Sequence, residues 1–169
     1  MKATLKITGI LCGEELENSP GMPSRRRMEQ GPVAIIECTQ EIPCDPCADA
    51  CRRGAIEIGE DITQLPRLLE EKCNGCGTCV PACPGLAIFV VDLNYSAEGA
   101  LLKIPYEFLP LPRANSSVLA LDREGKVIGE AKILKLSNPK KNDRTPVVSL
   151  LVPKELVLDI RNIRLKEKE

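Results

Sequence analysis

The sequence has no histidine and no tryptophan, and only two phenylalanines and two tyrosines among 169 residues. Without histidine there is no usual general base and no imidazole metal ligand. A hydrolase triad and a histidine-ligated zinc site are therefore excluded. With so few aromatics, the 43% of hydrophobic residues must build a core from Leu, Ile, Val and Ala. Neither sign of charge dominates: 23 basic residues stand against 24 acidic ones, a net of −1. That balance gives no reason to expect nucleic acid or an anionic membrane as a partner. No apolar run approaches the roughly 20 residues of a membrane span. The opening segment MKATLKITGILCGEELENSP has too short an apolar stretch for a secretory signal, and acidic residues follow it. A cytoplasmic protein is expected, built as one compact unit or two small subdomains. The chain also lacks a G-x-G-x-x-G turn and a P-loop, so nothing in it looks like a nucleotide or substrate site.

What the chain has in excess is cysteine, nine in all. In a reducing compartment that number argues for metal binding before disulfides. The cysteines divide the chain into three parts. Residues 1–32 form an N-terminal arm, with a strand expected over Lys2–Thr8 and then a loop rich in Pro, Gly and charge. Arg25–Arg27 lie in that loop and read as a solvated surface, or as a docking surface for an acidic partner. Residues 33–92 hold eight of the cysteines, with a strand at Val33–Glu37 and a short helix expected within DITQLPRLLEEK. Residues 93–169 hold none. There SSVLALDREGKVIGEAKILKL reads as two strands about a turn at Asp122–Gly125, and TPVVSLLVP as a third. PKELVLDIRNIRL reads either as a helix opening at Pro153, with Leu156, Ile160 and Ile163 on one face, or as a strand. The predicted class is α+β, a cysteine-rich unit followed by a small β-rich subdomain.

The cysteine-rich part repeats itself. A shift of 32 residues lays Cys76 on Cys44, Cys79 on Cys47 and Cys83 on Cys51, and lays CPGLAIFV on CRRGAIEI. One match fails. Cys73 falls on Glu41, and the missing cysteine stands three residues upstream, as Cys38. The irregular first group is thus a regular one whose first member has moved.

The second run, CNGCGTCVPACP, has the spacing C-x2-C-x2-C-x3-C-P. It resembles the bacterial-type ferredoxins with two [4Fe–4S] clusters, in which the fourth cysteine of each run ligates the other cluster. Three closely spaced thiolates on one turn cap three irons of a cubane, and the fourth corner needs a ligand from elsewhere. Gly75 and Gly77 permit the tight turn, and Pro84 stops the helix after Cys83. The resemblance covers residues 33–92. It implies a pseudo-twofold ferredoxin-like fold with two [4Fe–4S] clusters as cofactors. Cluster I would be held by Cys38, Cys44, Cys47 and Cys83, and cluster II by Cys51, Cys73, Cys76 and Cys79. The first run departs from the family in its spacing and in having Arg52 where proline is expected. Cys12 is the rival for the place given to Cys38; its bland reading is a small buried apolar residue.

Other readings remain open. A zinc ribbon on Cys44/Cys47 and Cys73/Cys76 would leave four of the eight cysteines unexplained. A single cluster would leave the irregular group without a role. Arg52 and Arg53 read as a solvated helix end, or as charges that raise the potential of an adjacent cluster. The implied function is relay of single electrons, with no catalytic residues of the chain's own. The segments IIECTQEIPCDPCADAC, KCNGCGTCVPACPGLAI and IPYEFLPLP resemble the ferredoxin-like small subunits of multisubunit flavin-dependent dehydrogenases, of the proline, hydroxyproline or sarcosine-oxidising kind. That resemblance implies FAD-containing dehydrogenase partners. The alternatives are a freestanding low-potential ferredoxin, or a structural or sensory iron–sulfur protein.

Overall fold

The structure is a computed structural model that describes residues 5–11 and 13–166. Among the described residues nine strands carry it: β1 Val33–Ile36, β2 Ile56–Glu57, β3 Arg67–Leu68, β4 Ile88–Asp92, β5 Ala100–Pro105, β6 Ser117–Leu121, β7 Val127–Ser137, β8 Val147–Val152 and β9 Asn162–Leu165. Seven form one antiparallel sheet in the order β1-β4-β5-β8-β7-β6-β9, and β2 pairs with β3 alone. The α-helices among the described residues are single turns of four or five residues: α1 Leu5–Thr8, α2 Gly13–Glu17, α3 Arg25–Met28 and α4 Pro46–Asp49.

Burial explains the strand patterns. β1 and the first four residues of β4 are buried throughout, so they read as continuous apolar runs and not as alternation. β5 alternates at its start, with Ala100 and Leu102 buried and Leu101 and Lys103 half-buried. The N-terminal arm covers the outer edge of β1. Ile36 N–H donates to Gly21 O at 2.9 Å, and Leu68 N–H donates to Pro20 O at 3.0 Å. A side chain at Gly21 would lie 2.3 Å from Ile36 O, so only glycine lets the arm approach this closely.

The sheet continues across residue 92. β4 pairs with β5 through Val90–Lys103 and Val91–Leu102, so strands of the cysteine-rich segment and of the cysteine-free segment share one sheet and one core. Val33, Ile35, Val90, Leu102, Ile133 and Leu150 are all fully buried in it.

Three local expectations are corrected, and one left open is decided. Leu5–Thr8 form a helical turn and not a strand, with Leu5 N–H held by the Glu15 carboxylate at 3.0 Å; residues 2–4 of that expected strand lie outside the described residues. No helix forms between the cysteine runs. Asp61 instead accepts from Thr63 N–H at 2.9 Å in a turn, and Leu68 and Arg67 pair with Ile56 and Glu57. Arg25–Arg27 belong to a helical turn capped by Ser24. The ambiguous stretch after Pro153 divides into a 3-10 turn, Lys154–Leu156, and strand β9.

Candidate metal centres

The two cysteine runs end alike. Gly54 N–H donates to Cys51 O at 2.9 Å, and Leu86 N–H to Cys83 O at 3.1 Å. The next amides turn onto sulfur: Ala55 N–H lies 3.3 Å from Cys51 Sγ, and Ala87 N–H 3.4 Å from Cys83 Sγ. Gly54 and Leu86, 32 residues apart, share a left-handed backbone with φ of 57° and 53°. The sequence repeat is therefore a repeat of backbone shape and of hydrogen bonds to sulfur.

The chain brings the eight cysteines into two sets. Cys38, Cys44, Cys47 and Cys83 line one small cavity, walled by Ile36, Ile42 and Ile88. Cys51, Cys73, Cys76 and Cys79 line a second, walled by Ala34, Ala55 and Ile56. Each set takes three cysteines from one neighbourhood and one from the other run. Cys38, two residues beyond β1, reaches the first set; its rival Cys12 lies outside the described residues.

The electrostatics follow the same division. Burial pushes the Cys79 thiol up to about 12, aided by the charges of Cys73, Cys76 and Cys51. Burial and the charge of Cys83 push Cys47 up to about 11, with smaller contributions from Cys44 and Cys38. Cys44 is raised by burial, then by Cys83, Cys38 and Asp45. Cys76 goes the other way. Burial raises it, but hydrogen bonds from Thr78 and Gly77 and the charge of Lys103 outweigh that effect. Four thiols gathered out of water repel as thiolates, and a cationic group bound among them would offset that cost.

The donor sets fit a [4Fe–4S] group, which four thiolates hold. Among the described residues, no three ligand-type side chains converge as a single ion would need; the sulfurs instead surround a space. The cradle is fitted as well. Gly75 has φ 63°, and a Cβ there would sit 2.5 Å from Pro32 Cβ. Ala34 N–H adds a hydrogen bond to Cys73 Sγ at 3.4 Å.

Two supporting residues carry no motif. Arg27 donates to Glu70 O at 3.0 Å, Gly31 O at 3.1 Å, Pro32 O at 3.0 Å and Cys73 O at 2.6 Å. Of the three arginines read as solvated, Arg25 and Arg26 are exposed, while Arg27 clamps the arm to the second cysteine run. Lys103 of β5 donates to Gly75 O at 2.9 Å and Cys76 O at 3.3 Å. The half-buried position of Lys103 on an alternating strand is a weak signal for such a role. Arg52 and Arg53 are both exposed, and Arg53 borders the second cavity.

Residues 66–89 match the family described as 4Fe-4S binding domain. The chain is similar to the polyferredoxin-like subunit of an aliphatic sulfonate oxidoreductase from Pyrococcus furiosus, 41% identical over 32% of this chain and 28% of that protein. It is 32% identical to one subunit of a Na(+)-translocating ferredoxin:NAD(+) oxidoreductase complex from Acetobacterium woodii, over 48% of this chain and 26% of the relative. It is 39% identical to the polyferredoxin protein MvhB of Methanothermobacter marburgensis, over 45% of this chain and 21% of the relative. The chain thus spans between 21% and 28% of the length of these curated relatives. No solved structure matches it significantly. No helix among the described residues is long and apolar enough to cross a membrane.

Proposed function

We propose that the chain, whose residues 66–89 match the 4Fe-4S binding domain family, is a ferredoxin-type iron–sulfur protein that relays single electrons through two [4Fe–4S] centres as a subunit of an oxidoreductase assembly. Centre I takes Cys38, Cys44, Cys47 and Cys83; centre II takes Cys51, Cys73, Cys76 and Cys79. The observation that carries this reading is the crossed 3+1 division of the cysteines between two cavities. A bound [4Fe–4S] group supplies a site that takes up and gives back one electron. The chain's own part is to hold the thiolates, to donate N–H groups to sulfur and to exclude water around Cys47 and Cys79. Cys76, the exposed member, marks where centre II meets the surface.

The partner in this proposal is an FAD-containing dehydrogenase. Relatives named as subunits of oxidoreductases support membership of an assembly. So does the apolar surface at Phe108 and Leu109, 59% and 86% exposed within IPYEFLPLP, which a docked protein would cover.

Anaerobic purification with iron and sulfide analysis and reduced-state EPR tests the reading. The expected result is about eight irons and eight sulfides per chain, with a spin-coupled spectrum. Cys38→Ala is expected to halve the iron and Cys12→Ala to leave it unchanged. About four irons in the wild type would reject the second centre. Size exclusion of a native extract tests the assembly: co-migration with a flavoprotein is expected, and migration at the mass of the lone chain would favour a freestanding ferredoxin.

A further inference from the structure

The two centres sit in unlike electrostatic surroundings. Two cations reach the backbone of the loop around centre II. Arg27 donates to Cys73 O at 2.6 Å, and Lys103 donates to Gly75 O at 2.9 Å and to Cys76 O at 3.3 Å. Lys103 comes from β5, outside the repeated cysteine segment, and among the described residues no lysine or arginine lines the cavity of centre I. The leading charges on Cys44 and Cys47 are those of other thiols and, for Cys44, of Asp45. The Arg123 and Arg161 guanidiniums, which reach the residue before Cys38, are committed to Glu37, to backbone carbonyls and to the face of Phe89.

Hydrogen bonding and exposure lean the same way. In centre II, Ala55 and Ala34 amides donate to Cys51 Sγ and Cys73 Sγ, and the Thr78 and Gly77 amides reach Cys76; in centre I, the Ala87 amide donates to Cys83 Sγ and the Ala48 amide reaches Cys47. Thr78 Oγ1 lies 3.4 Å from Cys76 Sγ, although Ala50 O at 3.3 Å competes for its proton. Cys76 is also the one exposed cysteine of the eight. Reduction adds one electron and makes a centre more negative. A fixed cation, donors aimed at sulfur, and solvent all favour that state.

Building on the two-centre reading above, we propose that Lys103 makes centre II the higher-potential site, so that the first electron taken up by the chain rests on the centre held by Cys51, Cys73, Cys76 and Cys79. The step takes one electron from a reductant, which is oxidised by one electron; no bond breaks and no proton moves. Electrons entering at centre I would run downhill to centre II and leave beside Cys76. The cysteine-free half would then set the direction of the relay as well as carry the fold.

The test is an EPR-monitored dithionite titration of the full chain with both centres loaded. An iron content of about eight per chain comes first; about four would reject the two-centre reading itself, whatever Lys103 does. With both centres present, Lys103→Met is expected to lower the higher midpoint by up to a tenfold change in the reduction equilibrium, about 59 mV for one electron. The lower midpoint should move much less, and Lys103→Arg should keep the wild-type values. Asp45→Asn, a change at an exposed position, tests the other centre independently of whether Lys103→Met holds its iron. It is expected to raise the lower midpoint. A Lys103→Met shift confined to the lower midpoint, no shift at either, or an Asp45→Asn shift confined to the higher one would overturn the proposal.

Discussion

Gly54 and Gly75 both hold left-handed backbone, with φ of 57° and 63°, but their surroundings differ. A Cβ at Gly54 meets nothing within 4 Å, whereas one at Gly75 would press on Pro32 at 2.5 Å. Gly54→Ala should therefore cost only the backbone term, about 1–2 kcal/mol. Gly75→Ala should cost visibly more, because Pro32 and its carbonyl lie in the way. Denaturant midpoints of the two variants, with iron retention, check this order; equal losses would mean that the arm yields. Leu86 shows that this backbone is tolerable without glycine, since it takes φ 53° at the position equivalent to Gly54. At this scale the grouping of the eight cysteines into two sets was legible in the sequence, because cysteine spacing is local. Arg27 and Lys103 were not. Their partners are backbone carbonyls, which leave no mark in a sequence, and the carbonyls of Cys73, Gly75 and Cys76 lie dozens of residues away.

Among elements, strands were legible where burial or turn chemistry wrote them plainly. β1 and β8 stand out as apolar runs, and β6 and β7 as two strands about Asp122, whose carboxylate accepts from Glu124 N–H at 2.8 Å and Lys126 N–H at 2.9 Å. The helices were not legible, because four or five residues are too few to display a period of 3.6. Within 61–72 the apolar spacing Leu65, Leu68, Leu69 imitates a helix face, but Pro66 breaks it and the pairing with β2 takes the segment. α3 is held by what it reaches across to, chiefly through Arg27. Arg27→Met keeps the stem and removes the donors to the carbonyls of Gly31, Pro32, Glu70 and Cys73. It should cost about 2–3 kcal/mol, in the range of hydrogen bonds to a charged group. Arg27→Lys should not rescue it, since an ammonium cannot span the same fork. Chemical denaturation of the three proteins checks this; a Lys variant as stable as the wild type would reduce the clamp to a simple charge.

Over the whole molecule, the cysteine-rich and cysteine-free segments are joined by β4–β5 pairing, by the Lys103 hydrogen bonds and by an ion group that no motif announces. Glu37, one residue before Cys38, accepts from Arg123 Nε at 3.0 Å and from Arg161 Nε at 2.8 Å. Side chains of Glu37 and Arg161 are only 8% and 6% exposed. Arg161 also donates to the carbonyls of Val157 and Ile160 and stacks on Phe89, 4.6 Å from its centroid. Burial alone would raise the Glu37 carboxyl, but the two guanidiniums outweigh it and hold it below its ordinary value of 4.5. A carboxyl lowered in the folded state stabilises the fold at pH above 4.5, and that contribution is lost as pH falls through the folded value. Glu37→Gln strips the charge and leaves the buried Arg161 and the partly exposed Arg123 facing each other. At neutral pH it should cost about 3–5 kcal/mol, the usual penalty for breaking a buried ion group by removing one partner. The gap between variant and wild type should narrow as pH drops below 4.5, where wild-type Glu37 also takes up a proton. Denaturant midpoints across that range check both size and slope. A gap that stays constant with pH would mean that shape, and not charge, joins the two segments at this point. The cysteine-rich segment would then owe its place on the sheet to β4–β5 pairing and the shared core.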